Sequence, residues 1–126
     1  MLRPGGHIIN VSSESVGMMF PYLTMYQATK SALERFSEGL HHELQPNGIR
    51  VTTVRAGQMY GENFSINFGP EIGMRFHQAC LAAGLNLRER PLSDFKSVSD
   101  VFRAVIDLPE DVHIQHVSLS ARRGRQ

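Results

Sequence analysis

The feature that most constrains this chain is a pair of short apolar runs on either side of one long amphipathic segment. Residues 7–11 are nearly all apolar and follow the turn pair Gly5-Gly6, the pattern of a parallel strand buried on both faces. Residues 49–55 form a second run, rich in β-branched side chains, as a strand prefers. Between them, residues 25–45 read as a single helix in which Ala32, Phe36, Leu40 and Leu44 recur at i, i+4, i+8 and i+12. That stripe is expected to pack on the sheet or on a partner, with Glu34, Arg35, Glu38 and Glu43 on a solvated face. Pro46-Asn47-Gly48 ends the helix in a turn. Strand, helix and strand in this order predict a parallel crossover.

Three polar residues in the first half of this unit carry chemistry. Tyr26 and Lys30 are one helical turn apart and share a face, so the ammonium can approach the phenol. A nearby cation favours a phenolate and brings a tyrosine, ordinarily titrating near pH ~10, closer to proton exchange at neutral pH. Ser13 ends the first strand and can hydrogen-bond the substrate oxygen with which Tyr26 would exchange its proton. Thirteen positions separate it from Tyr26, so the fold and not the local helix must bring the two together. The plain alternative is that Ser13 only caps a strand end and that Tyr26 and Lys30 are ordinary helix residues.

The arrangement Asn10-Val11-Ser12-Ser13, then Tyr26-Gln27-Ala28-Thr29-Lys30, then a long helix and Gly48-Ile49-Arg50-Val51 resembles the short-chain dehydrogenase/reductase family over roughly residues 5 to 60. A lone Tyr-x-x-x-Lys would carry little weight, whereas four features in order and at the right spacing are specific. The resemblance implies a three-layer α/β, Rossmann-like parallel sheet, of which this chain is the carboxyl-terminal half. It forms a single partial domain over residues 1–126. The family's glycine-rich phosphate loop, its selector for the adenine ribose and its catalytic Asn are not found. Gly5 and Gly6 precede a strand rather than follow one, and Asn10 matches the structural Asn before the two serines.

By the same resemblance Tyr26 is the general acid/base, Ser13 orients the substrate oxygen, and Lys30 assists Tyr26 and hydrogen-bonds the nicotinamide ribose. Ala56, Gly57 and Met59 stand where the family places backbone beside the nicotinamide, with Ala56 in place of the usual Pro. Gly61 falls where a Thr is frequent, and Asn63 or Ser65 are candidates to replace its hydroxyl. The implied cofactor is NAD or NADP, with nothing to select between them. The implied substrate is a small carbonyl or alcohol, and the implied assembly a homo-oligomer joined through the helix at 25–45.

Residues 60–70 read as a substrate loop. Pro70 then opens a helix over about 70–83 that carries Ile72, Phe76 and Cys80 on one face and stops near Gly84. Phe64, Phe68 and Phe76 are open to two readings, packing and substrate contact. Ser97 or Ser99 can cap a helix over 100–108, and residues 114–119 form a third strand whose alternation suits an edge. The basic tail from Ala121 to Gln126 reads as a frayed, solvated end.

Composition narrows the rest. A 126-residue chain with 41% hydrophobic residues can bury one small core. A net charge of +1 gives no basis for a nucleic-acid footprint. The single Cys80 cannot form an internal disulfide and reads as a small buried hydrophobe in a reducing compartment, the cytosol. No run of 18 apolar residues or signal-peptide core is present, so no membrane segment is expected. His41-His42 is not expected to bind metal, because adjacent helical positions diverge by about 100° and no Cys or carboxylate completes a set. The functional expectation is an oxidoreductase that moves hydride between a nicotinamide cofactor and a carbonyl or alcohol. The alternative is a truncated, non-enzymatic interaction module derived from such an enzyme.

Overall fold

The computed structural model describes residues 3–59 and 69–122. Among these residues the chain forms a three-stranded parallel sheet of order β1-β2-β3, built from β1 (His7–Ser13), β2 (Arg50–Ala56) and β3 (His116–Ser118). Helices α1 (Thr24–Leu44), α2 (Gly69–Ala82) and α3 (Phe95–Ile106) complete the expected Rossmann-like α/β arrangement, in partial form. Strand β1 runs in register with β2 from His7 opposite Arg50 to Ser13 opposite Ala56. β2 has neighbours on both edges, so its β-branched residues make the deepest core: Val51, Thr52 and Val54 are almost fully buried. Each buried valine contributes about 1.5–2 kcal/mol by removal from water.

The outer strands differ from expectation. β1 is only half-buried, and Val11 is 42% exposed, because among the described residues β1 pairs with β2 alone. β3 is shorter than 114–119, but it occupies the expected edge.

Helix α1 corrects a second expectation. Glu34 and Ser37 are buried, while Ala32 is exposed and Phe36 is 59% exposed. Leu40 and Leu44 are only half-buried. The cause lies in the sheet. Side chains alternate along a strand, and the face under α1 carries Asn10 and Arg55, which need polar partners when covered. Asn10 Nδ2 donates to Ser37 Oγ at 2.8 Å, and Ser37 Oγ donates to the Leu33 carbonyl. The Arg55 guanidinium grips both oxygens of Glu34 at 2.8–3.1 Å. The helix was therefore rotated by its polar residues, and part of the apolar stripe was left outside.

The helix ends follow local chemistry. Gly48 closes the turn after α1 at φ 70°, which glycine adopts without a Cβ clash. Gly84, at φ 82°, terminates α2 close to its predicted end. α3 starts earlier than predicted. Its cap is Asp94, whose carboxylate accepts from the Lys96 amide, and not Ser97 or Ser99. Within α2, Cys80 is fully buried, as expected, but Ile72 is 54% exposed. Burial pushes the Cys80 thiol above its ordinary range. Among the described residues no helix is long and apolar enough to cross a membrane. Gly61, Asn63, Phe64, Ser65 and Phe68 lie outside the described residues.

Candidate active site

The thirteen-residue gap between Ser13 and Tyr26 is closed by a compact turn and one glutamine. Ser13 ends β1 in an extended conformation and caps the short 3-10 turn Glu14–Gly17, its Oγ accepting from the Ser15 amide at 3.2 Å. Its hydroxyl also lies 2.9 Å from Ser15 Oγ. Gln27, on the first turns of α1, donates its amide N–H groups to the Ser15 and Met18 carbonyls. The turn after β1 is thereby pinned onto α1, and the strand end and the helix start face one space.

That space is a cleft of about 850 Å³, within the usual size range of small-molecule sites. All six residues singled out from the sequence line it: Ser13 and Ala56 at the paired ends of β1 and β2, Tyr26 and Lys30 from α1, and Gly57 and Met59 from the segment after β2. Lys30 Nζ lies 5.9 Å from the centroid of the Tyr26 ring and donates to the Val11 carbonyl at 3.1 Å. That bond fixes the ammonium at the exposed edge of β1 and leaves its other donors for a ligand. The cap on the 3-10 turn gives Ser13 a structural duty that the sequence reading had set against its catalytic one. Ser13 nevertheless lines the cleft.

Gly57 has a structural reason of its own. A Cβ there would stand 2.8 Å from the Leu119 carbonyl oxygen and 3.2 Å from Ser120 Cα. The absence of a side chain thus lets the segment leaving β3 cross the end of β2. A parallel bridge between Met59 and Ser93, with Ser93 N–H donating to the Gln58 carbonyl, ties the same wall to the approach to α3.

Two charged residues that the sequence did not single out meet in the cleft. Glu14 Oε1 accepts from the Arg90 guanidinium at 2.6 Å, and both side chains are about one-fifth exposed. Arg90 also lies over the Phe20 ring, 5.9 Å from its centroid. The partners are 76 positions apart, so no local spacing could have paired them. The only local signal was a carboxylate set between the two serines Ser13 and Ser15. Arg88 and His77 line the same cleft, as does Phe76, one of the three phenylalanines left open above.

Residues 1–66 match the short chain dehydrogenase family. Among curated relatives, an uncharacterized oxidoreductase of Staphylococcus aureus is 23% identical over 93% of this chain and 43% of its own length. One from Staphylococcus saprophyticus is 39% identical over 45% of this chain and 24% of its own. The chain therefore spans less than half the length of these relatives. Among solved structures, the closed form of a serine dehydrogenase complexed with NADP+ aligns with a TM-score of 0.69 at 23% identity. That alignment covers 96% of this chain and 49% of the other. A promiscuous reductase catalysing keto-reduction at C1 during lugdunomycin biosynthesis aligns with a TM-score of 0.64 at 28% identity, covering 93% and 44%. With the fold, the order of motifs and a match over more than half of its residues in agreement, the chain belongs to the short-chain dehydrogenase family.

Proposed function

We propose that these residues form the catalytic, carboxyl-terminal part of an oxidoreductase that transfers hydride between NAD or NADP and a carbonyl or alcohol. The observation that carries the reading is that Ser13, Tyr26 and Lys30 line one cleft together with Ala56, Gly57 and Met59. The donor set suits a nicotinamide nucleoside. Lys30 has ammonium protons to spare beyond its bond to Val11, and the small residues Ala56 and Gly57 add little bulk to the lining at the end of β2. When bound, the nicotinamide supplies or accepts the hydride. The protein's own part is the proton. As charge develops on the substrate oxygen, Tyr26 delivers its phenolic proton there and Ser13 donates a hydrogen bond to the same oxygen. Lys30 sets positive charge beside the Tyr26 ring and would hold the ribose hydroxyls of a bound nicotinamide nucleoside. Support also comes from the NADP+ bound to the serine dehydrogenase and from the keto-reduction performed by the lugdunomycin-pathway enzyme.

The test is turnover of ketones and aldehydes with NADH and NADPH in the intact polypeptide containing these residues. Tyr26→Phe is expected to lower kcat by roughly 10²–10⁴-fold with cofactor affinity nearly unchanged, since the proton matters only as the transition state forms. Lys30→Ala is expected to weaken both. Unchanged turnover in Tyr26→Phe refutes the assignment. A second reading, an interaction module without catalysis, is favoured by the exposed Val11 and by an outer edge of β1 that is unpaired among the described residues. It predicts no cofactor-dependent turnover in any form of the protein.

A further inference from the structure

Charge in the cleft is unbalanced. Among its described lining residues, Lys30, Arg88 and Arg90 are cations and Glu14 is the single carboxylate. Lys30 belongs to the catalytic set, which leaves two arginines for which hydride transfer to a carbonyl has no use. Of these, Arg90 is held in place. One amino group rests on Glu14 Oε1 at 2.6 Å, and the guanidinium lies over Phe20. A guanidinium held by a carboxylate and an aromatic face has lost little-used freedom in advance, and its planar fork presents further N–H groups in fixed directions. Those groups meet no other acceptor among the described residues, and the side chain keeps 23% of its surface accessible. Arg88, two positions away, is exposed and lines the same cleft.

We propose that Arg90 is the anchor for a carboxylate on the substrate, oriented by Glu14 and Phe20 and reinforced by the charge of Arg88, so that the substrate class is an oxo or hydroxy acid. This deepens the oxidoreductase reading and rests on it for the carbonyl end only. The anionic end is a binding site that can be tested without turnover. Glu14 is a positioning residue here, since it reaches the ligand through Arg90. A neutral ketone fits the cleft less well, because it leaves the open N–H groups of a poorly hydrated arginine without an acceptor. Arg88 adds attraction over a longer range, and low salt strengthens it.

The experiment is a titration of the chain at low ionic strength with butanoate, with butanamide as a neutral isostere, and with inorganic phosphate. It is followed by the NMR signals of the Arg90 guanidinium and the Gly57 amide. Butanoate is expected to give saturable shifts in both, and butanamide none at the same concentrations. Arg90→Lys keeps the charge but loses the fork and should weaken butanoate at least 5-fold. Arg88→Gln, at an exposed position, should weaken it 2- to 3-fold with an unchanged melting curve. Equal binding of amide and acid, or full butanoate affinity in Arg90→Lys, overturns the proposal. So does tighter binding of phosphate than of butanoate, which would assign these cations to a cofactor phosphate. Because butanoate has no reducible carbonyl, such a failure leaves the role of Tyr26 untouched, and loss of that role leaves the anion titration valid.

Discussion

Replacing Glu34 by Gln removes one charge and almost no volume, and it tests whether the polar seam under α1 holds the site together. Glu34 receives three contacts from Arg55, at 2.8, 3.1 and 3.1 Å, and lies 3.1 Å from His116 Nε2. Removing one partner of a fully buried pair costs about 3–5 kcal/mol, chiefly because the other charge is left in low dielectric. Arg55 keeps 28% of its side-chain surface in contact with solvent, against 11% for Glu34, and glutamine retains one carbonyl acceptor. Both facts reduce the penalty, to about 2 kcal/mol, or a fall in melting temperature of roughly 6–12 °C for a domain of this size. Urea denaturation measures it directly, with an unchanged m-value showing that compactness is preserved. The double variant Glu34→Leu with Arg55→Met removes both charges and should lie closer to the parent than either single variant. A Glu34→Gln protein within about 0.5 kcal/mol of the parent, or a double variant costing the sum of the singles, would refute the reasoning.

The remaining predictions concern acid, a glycine and association. Burial lowers the pKa of His7 and His41 below the ordinary 6.5, assisted by Arg50 and His113 at His7 and by His113 and His42 at His41. The unfolded chain therefore takes up these protons first, and stability present above pH 6.5 declines as pH falls below it; a urea midpoint that does not move between pH 7.5 and 5.5 contradicts this. Burial raises the Glu34 carboxyl, but hydrogen bonds from Arg55 and His116 outweigh it and hold the group below 4.5, so a second loss follows under pH 4.5. Gly57→Ala sets a Cβ 2.8 Å from the Leu119 carbonyl oxygen and should destabilise by about 1–3 kcal/mol, with wild-type stability as the refuting result. Met25 and Phe36 are 77% and 59% exposed on α1, and we propose that they join two copies of the chain. Sedimentation should then show a dimer that Phe36→Glu dissociates, and a monomeric parent at micromolar concentration ends the idea.

How much of this was legible in the sequence depends on the distance over which each feature is decided. Strand β1, helix α1 and strand β2 were readable because each follows from a local run, and Gly48 and Gly84 marked helix ends through their own backbone freedom. The start of α3 was misplaced because Asp94, Ser97 and Ser99 can all cap, and only the folded chain shows which does. The Glu14–Arg90 pair, 76 positions apart, had no local trace. The larger error was the rotation of α1. An apolar stripe is a guide to the buried face only when the surface beneath is apolar, and here that surface presents Asn10 and Arg55. The stripe that does pack was present in the sequence all along: Tyr26, Lys30, Glu34, Ser37 and His41 recur at helical spacing. Its upper members line the cleft, its middle members bond to the sheet, and His41 stacks on His113 at 4.1 Å. The contacts that rotate α1 onto the sheet are thus the same ones that aim Tyr26 and Lys30 at the cleft. A variant that loosens Glu34 should disturb the site as well as the fold, although Glu34 itself does not line the cleft.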